Sequence, residues 1–316
     1  FNWLIFIKNT NYILFIKAKI GYIKKNNTFN NYLMKKIRDL LTPLFFNLPV
    51  LIAIFQIARY YTGYIFYKYK ILRNKVYIGG YMFSQQEIAR GRHGIIKKVF
   101  NLLIKKKLKN KKKLIEILEI GSFCGESTLM IGNFLSKKKI SFKITCVDIW
   151  SPFPYDHSNE FFLNKCNENL KNGKIFNLFK HNIKNSGFSK NIKVIKGDSN
   201  IVLKKIKKKF DFIFVDASHS YKYVYNDIKN SMKILNNNGY LVGDDYEEIY
   251  NKTKHLNYKK LITEDVDSLY DYKNKKNIHP GVTLAVHKIF GSIPSLNGLF
   301  VQQLKEKKYI NKKISI

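Results

Sequence analysis

Cysteine, arginine and acidic residues are scarce in this chain of 316 residues. The three cysteines show no CxxC spacing, and their odd number argues against a disulfide framework. We therefore expect a reducing compartment and a cytoplasmic protein. Collagen-like repeats, heptad repeats and internal duplications are absent from the sequence, which excludes a repeat architecture.

The scarcity of acids leaves a formal net charge of +35, from 57 basic and 22 acidic residues. Such a charge suggests nucleic acid or an anionic membrane as partner. Lysine carries nearly all of it, however, whereas specific recognition of phosphates and bases relies mainly on arginine. The five arginines are Arg38, Arg59, Arg73, Arg90 and Arg92. We interpret the excess first as solvated surface that follows A/T-rich codons, second as attraction to an anionic membrane surface, and third as specific nucleic-acid binding.

What the chain does contain is enough apolar sequence for one large folded domain. Hydrophobic residues make up 45% of it and charged residues 25%, which suits a sizeable core. We expect an N-terminal extension over residues 1–83, a main domain over 84–305 and a basic tail over 306–316. Met34 is an alternative start, and we expect the residues before it to contribute little to function.

Residues 40–58 carry no charged side chain, and their length is close to that of a membrane-spanning helix. Basic residues precede this segment and an aromatic, basic stretch follows it, which is typical of a membrane anchor. Pro43 and Pro49 argue against a clean span, and a buried or domain-capping helix is the alternative. One interpretation is attachment to the inner face of a membrane through residues 40–67.

From Leu114 onward, short apolar runs alternate with helical patterns. Buried strands are predicted at Leu114–Ile120, Phe142–Val147, Asn191–Ile195, Phe210–Val215 and Tyr240–Val242. Helices are predicted over 84–113, 126–137, 159–185, 199–208 and 221–236. This alternation predicts an α/β fold, a doubly wound and mostly parallel sheet with helices on both faces. Ligands of such sheets bind beyond the carboxyl ends of the strands.

The end of the first predicted strand is suited to a ligand that the backbone approaches closely. Gly121 and Gly125 permit that approach, and Ser127 with the first amides of the next helix can bind a carboxylate or a phosphate. A tight turn without a ligand is the alternative. The motif is weak on its own.

The ends of the second and third strands add polar residues that suit a nucleoside. Asp148 can hold the ribose hydroxyls, and Trp150 can cover an adenine or merely pack. Asp198 can accept from the adenine amino group or cap a helix, a role that Ser199 also fits. Together with the glycine loop, these residues predict a nucleoside site.

Three carboxylates follow the fourth and fifth predicted strands. Asp216 ends one strand, Asp244 and Asp245 end the other, and neighbouring strands lie about 4.8 Å apart. Converging carboxylates repel one another, which a bound Mg²⁺ or Mn²⁺ relieves. The alternative is that some of them cap helices or bind lysine. His219, three residues after Asp216, is a candidate general base, with loop packing as its alternative.

Glycine spacing separates two kinds of nucleoside ligand. Dinucleotide folds carry GxGxxG, whereas Glu119, Gly121 and Gly125 form ExGxxxG. That form resembles class I S-adenosylmethionine-dependent methyltransferases, and the resemblance covers about residues 114–245. Within this class, the sequence most resembles the metal-dependent small-molecule O-methyltransferases, which include catechol-type and sugar enzymes. The segments that carry it are LEIGSFCGEST (118–128), VDIW (147–150), KGDS (196–199), FIFVDASHSY (212–221) and NNGYLVGDDY (237–246).

The resemblance implies a Rossmann-like methyltransferase sheet and methyl transfer from S-adenosylmethionine to a hydroxyl of a small molecule, such as a sugar or glycan precursor. It implies cofactor contacts by Glu119, Gly121, Ser122, Gly125, Ser127, Asp148, Trp150, Asp198 and Ser199. It implies Mg²⁺ or Mn²⁺ on Asp216, Asp244 and Asp245, with His219 and Asp216 as catalytic residues. The sequence leaves open whether the protein forms a homo-oligomer.

Three other functions agree less well with the sequence. A nucleic-acid methyltransferase usually shows an (N/D)PP(Y/F)-type motif after the fourth strand, where this chain has Asp216-Ala217-Ser218-His219. A NAD-dependent dehydrogenase disagrees with the glycine spacing, and the acids and histidine present argue against a non-catalytic membrane-surface module. Residues 151–189 and 246–280 are expected to form the acceptor walls. His279 is interpreted as a turn residue.

Overall fold

The computed structural model describes residues 49–78, 89–109, 114–153, 161–306 and 308–311. The chain divides into two compact units, residues 1–62 and 63–316. The predictions about Met34, about residues 40–48 of the apolar segment and about most of the basic tail lie outside the described residues.

Helices and strands alternate through most of the described chain. The helices are α1 (Pro49–Leu72), α2 (Ala89–Lys109), α3 (Glu126–Lys137), α4 (Phe161–Lys171), α5 (Lys174–Lys184), α6 (Ser199–Lys205), α7 (Tyr221–Ile234), α8 (Tyr250–Thr253), α9 (Tyr258–Thr263) and α10 (Pro280–Phe290). The strands are β1 (Leu114–Ile120), β2 (Ser141–Asp148), β3 (Ile192–Lys196), β4 (Phe210–Val215), β5 (Leu235–Gly243), β6 (Leu269–Asp271), β7 (Lys276–Ile278), β8 (Phe300–Lys305) and β9 (Lys308–Asn311).

Seven of these strands form one sheet in the order β3-β2-β1-β4-β5-β8-β9. The first five run parallel, and β8 and β9 extend the sheet in antiparallel fashion. The predicted doubly wound, mostly parallel α/β fold is therefore confirmed, and β4 and β5 are neighbours as expected. Strand order reverses between β1 and β4, which is the position where such sheets bind ligands.

Burial on both faces explains why the central strands have continuous apolar sequences. All six residues of β4 are buried, although its second residue is Asp211. Asp211 is compensated because Lys107 on α2 approaches its carboxylate to 2.6 Å. The core continues from the sheet into α7 and α10, where Ile228 and Val286 are fully buried.

Two predicted boundaries are wrong in ways that have a physical cause. The helix predicted over 159–185 is two helices, α4 and α5, because Gly173 between them adopts a left-handed φ of +68°. The strand predicted at Tyr240–Val242 begins five residues earlier, at Leu235. Its first half is rich in asparagine, which is rare in strands, so composition concealed it.

None of the helices that the structure describes is long and apolar enough to cross a bilayer. The predicted apolar segment is described from Pro49 onward, where it forms the first part of α1.

One carboxyl group lies in the core without full compensation. Asp227 on α7 is 1% exposed, and its Oδ1 has no hydrogen-bond partner among the described residues. Burial, and to a smaller extent the charge of Asp198, raise the pKa of Asp227 to about 7, although a hydrogen bond with Ser199 opposes the rise. The folded protein thus binds this proton more tightly than the unfolded chain does.

Asp227→Asn is expected to stabilise the protein more at pH 8 than at pH 5. A raised folded pKa means that stability falls as pH rises from the unfolded value, about 4, through the folded value. The neutral amide avoids that loss, so the gain in Tm at pH 8 is expected to exceed the gain at pH 5 by about 4 °C or more. Thermal unfolding at both pH values measures it. The exposed Glu264→Gln serves as control, and equal gains at both pH values would contradict the prediction.

Candidate active site

The loop between β1 and α3 lies against the end of β4, and glycine makes this possible. Gly121 has a φ of +87°, and a Cβ on it would stand 1.8 Å from the carbonyl oxygen of Asp216. Gly125 is the N-cap of α3 and has a φ of +92°. Because it has no side chain, the first amides of α3 stay open to an anionic group of a ligand.

Glu119 and Ser122 hold this loop from below. Glu119 is fully buried, and its Oε2 accepts from Ser122 Oγ at 2.8 Å and also from the Thr128 hydroxyl. Burial raises the pKa of Glu119, while hydrogen bonds, the largest from Ser127, act in the opposite direction. The structure thus brings together three predicted cofactor residues, Glu119, Ser122 and Ser127, in hydrogen bonds that connect β1 to α3. Their direct contact with a cofactor stays a prediction.

Asp148 joins the loops after β1 and β2. Its Oδ2 accepts from the Phe123 amide at 2.8 Å and its Oδ1 from the Trp150 amide at 2.6 Å. Trp150 is 3% exposed, and its ring packs against Phe176 and Phe179. The packing alternative for Trp150 is therefore the one observed, while Asp148 lies at the end of β2 as predicted.

Asp198 and Ser199 follow β3 at the start of α6. Asp198 is the N-cap of α6, and its Oδ1 accepts from the Asn200 amide at 2.8 Å. Ser199 hydrogen-bonds Asp227 in the core. The capping alternative is thus realised for Asp198, and its contact with an adenine stays a prediction.

The three predicted metal ligands converge. Asp216, Asp244 and Asp245 each offer a carboxylate oxygen, and these oxygens lie within 4.8 Å of one another. Burial, followed by the charges of Asp244 and Asp245, raises the pKa of Asp216 well above its usual value. Within the described part of the chain, the Asp216 carboxylate has no hydrogen-bond or ion-pair partner.

Arg92 on α2 supplies a cation to the other two carboxylates. Its Nη1 lies 2.5 Å from Asp244 Oδ1 and 3.1 Å from Asp245 Oδ1, and its Nη2 lies 3.4 Å from Glu247 Oε1. Burial lowers the pKa of Arg92, but the three acids outweigh it and raise the pKa overall. Sequence reasoning missed this residue. The sequence feature that could have indicated it is the rarity of arginine, since Arg92 is one of five arginines in a lysine-rich chain.

His219 lies between two carboxylates in the loop after β4. Its Nε2 is 2.9 Å from Asp245 Oδ2 and its Nδ1 is 2.8 Å from Asp267 Oδ1. Burial lowers the pKa of His219, but Asp245 and Asp267 raise it well above its usual value. Asp267 belongs to the segment 246–280 predicted as an acceptor wall, so that segment reaches the site.

His279 belongs to the same cluster, and the turn interpretation missed this. It is the N-cap of α10, its ring centroid lies 4.2 Å from that of His219, and its Nδ1 is 3.1 Å from Glu247 Oε1. Nitrogen atoms of His219 and His279 and an oxygen of Asp245 also lie within 4.8 Å of one another. The proximity depends on Gly281, where a Cβ would stand 2.1 Å from the His219 carbonyl oxygen.

The fold and this strand-end geometry agree with a comparison of families. Residues 118–246 match the family model of a methyltransferase domain. This match supports a class I S-adenosylmethionine-dependent methyltransferase fold for that part of the chain. The resemblance recognised in the sequence is thereby supported over these residues. No curated protein matches the chain.

Several solved structures are similar at low identity. A putative O-methyltransferase from Klebsiella pneumoniae is 14% identical with a TM-score of 0.37, over 66% of this chain and 77% of that one. The O-methyltransferase from Bacillus cereus, in complex with SAH, is 16% identical with a TM-score of 0.35, over 62% and 67%. For cofactor-bound Rv0187 from MTB the values are 16% and 0.33, over 48% of this chain and 54% of that one. This chain thus spans about half the length of Rv0187, and none of these values assigns a substrate.

Gly121→Ala is expected to weaken binding of S-adenosylmethionine by the methyltransferase domain at least about tenfold. A methyl group there collides with the Asp216 carbonyl, so the loop and the end of β4 must separate. Gly173→Ala is the matched control, because Gly173 also has a positive φ, of +68°, but open space around it. Both variants bear the cost of a left-handed alanine, about 1–3 kcal/mol. Calorimetric titration with S-adenosylmethionine compares them, and equal affinities would contradict the role of the Gly121 contact.

Proposed function

We propose that the methyltransferase domain methylates a hydroxyl of a small, sugar-like molecule, with a divalent cation bound by Asp216, Asp244 and Asp245 and with His219 as general base. The observation that carries the proposal is the convergence of these three carboxylates beside an imidazole, at the strand-order reversal next to the glycine loop. Hydroxyl methylation needs deprotonation of the nucleophile, and this cluster contains groups suited to that task.

The cofactor side of the crevice fits S-adenosylmethionine. The open amides of α3 after Gly125 suit its carboxylate, and Asp148 at the end of β2 suits its ribose hydroxyls. Asp198 retains lone pairs for an adenine amino group after it caps α6. Glu119, Ser122 and Ser127 act from behind the loop, by holding its backbone in place.

The acceptor side fits Mg²⁺ or Mn²⁺ by the chemistry of its donors. Asp216, Asp244 and Asp245 are hard oxygen ligands, and Asp216 has no partner among the described residues that neutralises it. A divalent cation held there supplies positive charge that lowers the pKa of a nearby hydroxyl.

His219 then accepts the hydroxyl proton through Nε2. Asp267 holds Nδ1 and so fixes the direction of the ring, as an orienting carboxylate does for other histidine bases. Nε2 is engaged by Asp245 in this structure, and two carboxylates on one ring favour its protonated form. His219 would therefore act as the base only after it has released that proton and its contact with Asp245. Tyr221 follows the same loop at the start of α7, where it is half-buried and packs against the hydrophobic core.

Asp216→Asn and His219→Gln are expected to lower methyl transfer by about 100-fold or more, and both variants are expected to bind S-adenosylmethionine within about threefold of wild type. The assay follows methyl-labelled cofactor with Mg²⁺ and a panel of monosaccharides and catechol. Glu168→Gln, on the surface of α4, is the control.

Three outcomes would contradict parts of the proposal. Full turnover in excess chelator would reject the role of the metal. Normal turnover by His219→Gln would reject its role as base. Transfer to RNA or DNA with none to the small hydroxyl compounds would reject the acceptor class and favour a nucleic-acid methyltransferase.

We further propose that α1 lies on an anionic membrane surface. Large apolar side chains follow one face of this helix at intervals of three or four residues, and they are 44% to 81% exposed. They are Ile54, Ile57, Tyr61, Ile65, Tyr69 and Leu72. Residues 40–86 contain five basic residues and no acidic one. An outward apolar face flanked by basic residues suits the interface of an anionic bilayer.

The double variant Ile65→Asn, Leu72→Asn is expected to lose binding to phosphatidylserine-containing vesicles, since both side chains point away from the protein on α1. Co-sedimentation with vesicles that contain or lack phosphatidylserine measures this. Ile201→Asn is the control, because Ile201 is 55% exposed on α6. Equal sedimentation of the double variant and wild type would contradict the proposal, as would a lipid-independent dimer that the double variant abolishes.

A further inference from the structure

The carboxylate cluster contains a cation from the chain itself. Arg92 Nη1 contacts one oxygen each of Asp244 and Asp245, and Nη2 approaches Glu247. Asp216, in contrast, has no such partner in the described chain. Arg92 therefore makes direct ion pairs with the acids that follow β5, whereas its charge acts on Asp216 only without a direct contact.

The Arg92 guanidinium packs closely against the backbone at Gly298. A Cβ on Gly298 would stand 2.8 Å from Arg92 Nη2, and Gly298 has a φ of +84°. The Gly298 carbonyl accepts from the Tyr246 amide at 2.8 Å, so this backbone is hydrogen-bonded to the residue that follows Asp244 and Asp245. The guanidinium thus packs directly against the backbone at Gly298, and the positive φ there disfavours any other residue.

Arg92 and a divalent cation would share two carboxylates. Asp244 and Asp245 supply two of the three carboxylates proposed to bind the metal, and both are held by Nη1. Two positive charges a few ångströms apart in a partly buried site repel each other strongly. Arg92 in this position therefore disfavours a divalent cation on the same carboxylates.

We propose that Arg92 is a tethered counter-ion that competes with the divalent cation for Asp244 and Asp245, and so couples metal binding to the first turn of α2. The inference rests on the metal site of the proposed function. His93, the next residue, lies 3.9 Å from Glu126 in the first turn of α3. The first turn of α2 therefore contacts both the carboxylate cluster and the start of α3, which makes Arg92 a positioning residue.

Arg92→Gln is expected to tighten binding of Mn²⁺ by about tenfold or more, within the usual range of coupling between sites. Electron paramagnetic resonance of free Mn²⁺, titrated with the full chain, gives the Kd without any turnover. Lys105→Gln is the matched control, since it removes one positive charge from an exposed position on the same helix, and its Kd is expected to stay within twofold of wild type. Asp216→Asn is expected to abolish the binding in either background.

Each result distinguishes this inference from the function on which it rests. An unchanged or weaker Mn²⁺ affinity in Arg92→Gln overturns the counter-ion and leaves the metal site standing. Absence of Mn²⁺ binding in every variant rejects the metal site, and the counter-ion with it, while calorimetry with S-adenosylmethionine still reports on cofactor binding.

A second variant covers the case in which Arg92→Gln does not fold because its acids lose their cation. Arg92→Lys keeps the charge but lacks the fork that holds two carboxylates. It is expected to bind Mn²⁺ more tightly than wild type, and an equal or weaker affinity overturns the proposal.

Discussion

Crowding of like charges at the ends of β4 and β5 is the constraint around which this site is organised. Asp216, Asp244 and Asp245 stand closer together than carboxylates tolerate without compensation. The compensation comes from distant parts of the chain: a guanidinium from α2, an imidazole from the β4–α7 loop and another from the start of α10. Helices that are far apart in sequence are thus held to one edge of the sheet by electrostatics as well as by apolar packing.

The strand-end residues were predictable because a simple topological rule places them. Continuous apolar runs locate β1, β2 and β4, and parallel strands bring their carboxyl ends to one edge. Asp148, Asp216 and the acids after β5 therefore reach the expected positions without knowledge of any side-chain contact. Local alternatives were harder to separate, and Trp150 and Asp198 adopt the packing and capping roles that their sequence context equally permits.

The partners of these acids were not predictable, because they depend on packing between remote segments. Arg92 precedes Asp244 by more than 150 residues, and no motif connects the two. His279 reaches His219 only because Gly281 lets α10 approach the loop backbone. Steric fit of this kind is a property of the assembled fold, whereas apolar periodicity is a property of each segment. The same distinction explains the hidden start of β5, where Leu235 pairs with Phe210 of β4 ahead of a register shift that includes the asparagines.

The strand at the other end of the sheet, β3, carries exposed lysines along an open edge. β3 is outermost and pairs only with β2 among the described strands, so its second edge presents free backbone groups, as a template for another chain does. Lys193 and Lys196 are exposed on this strand. A copy that tried to add its own β3 there would bring lysine against lysine. Positive charge on this strand thus disfavours the addition of a second copy to the sheet at this edge.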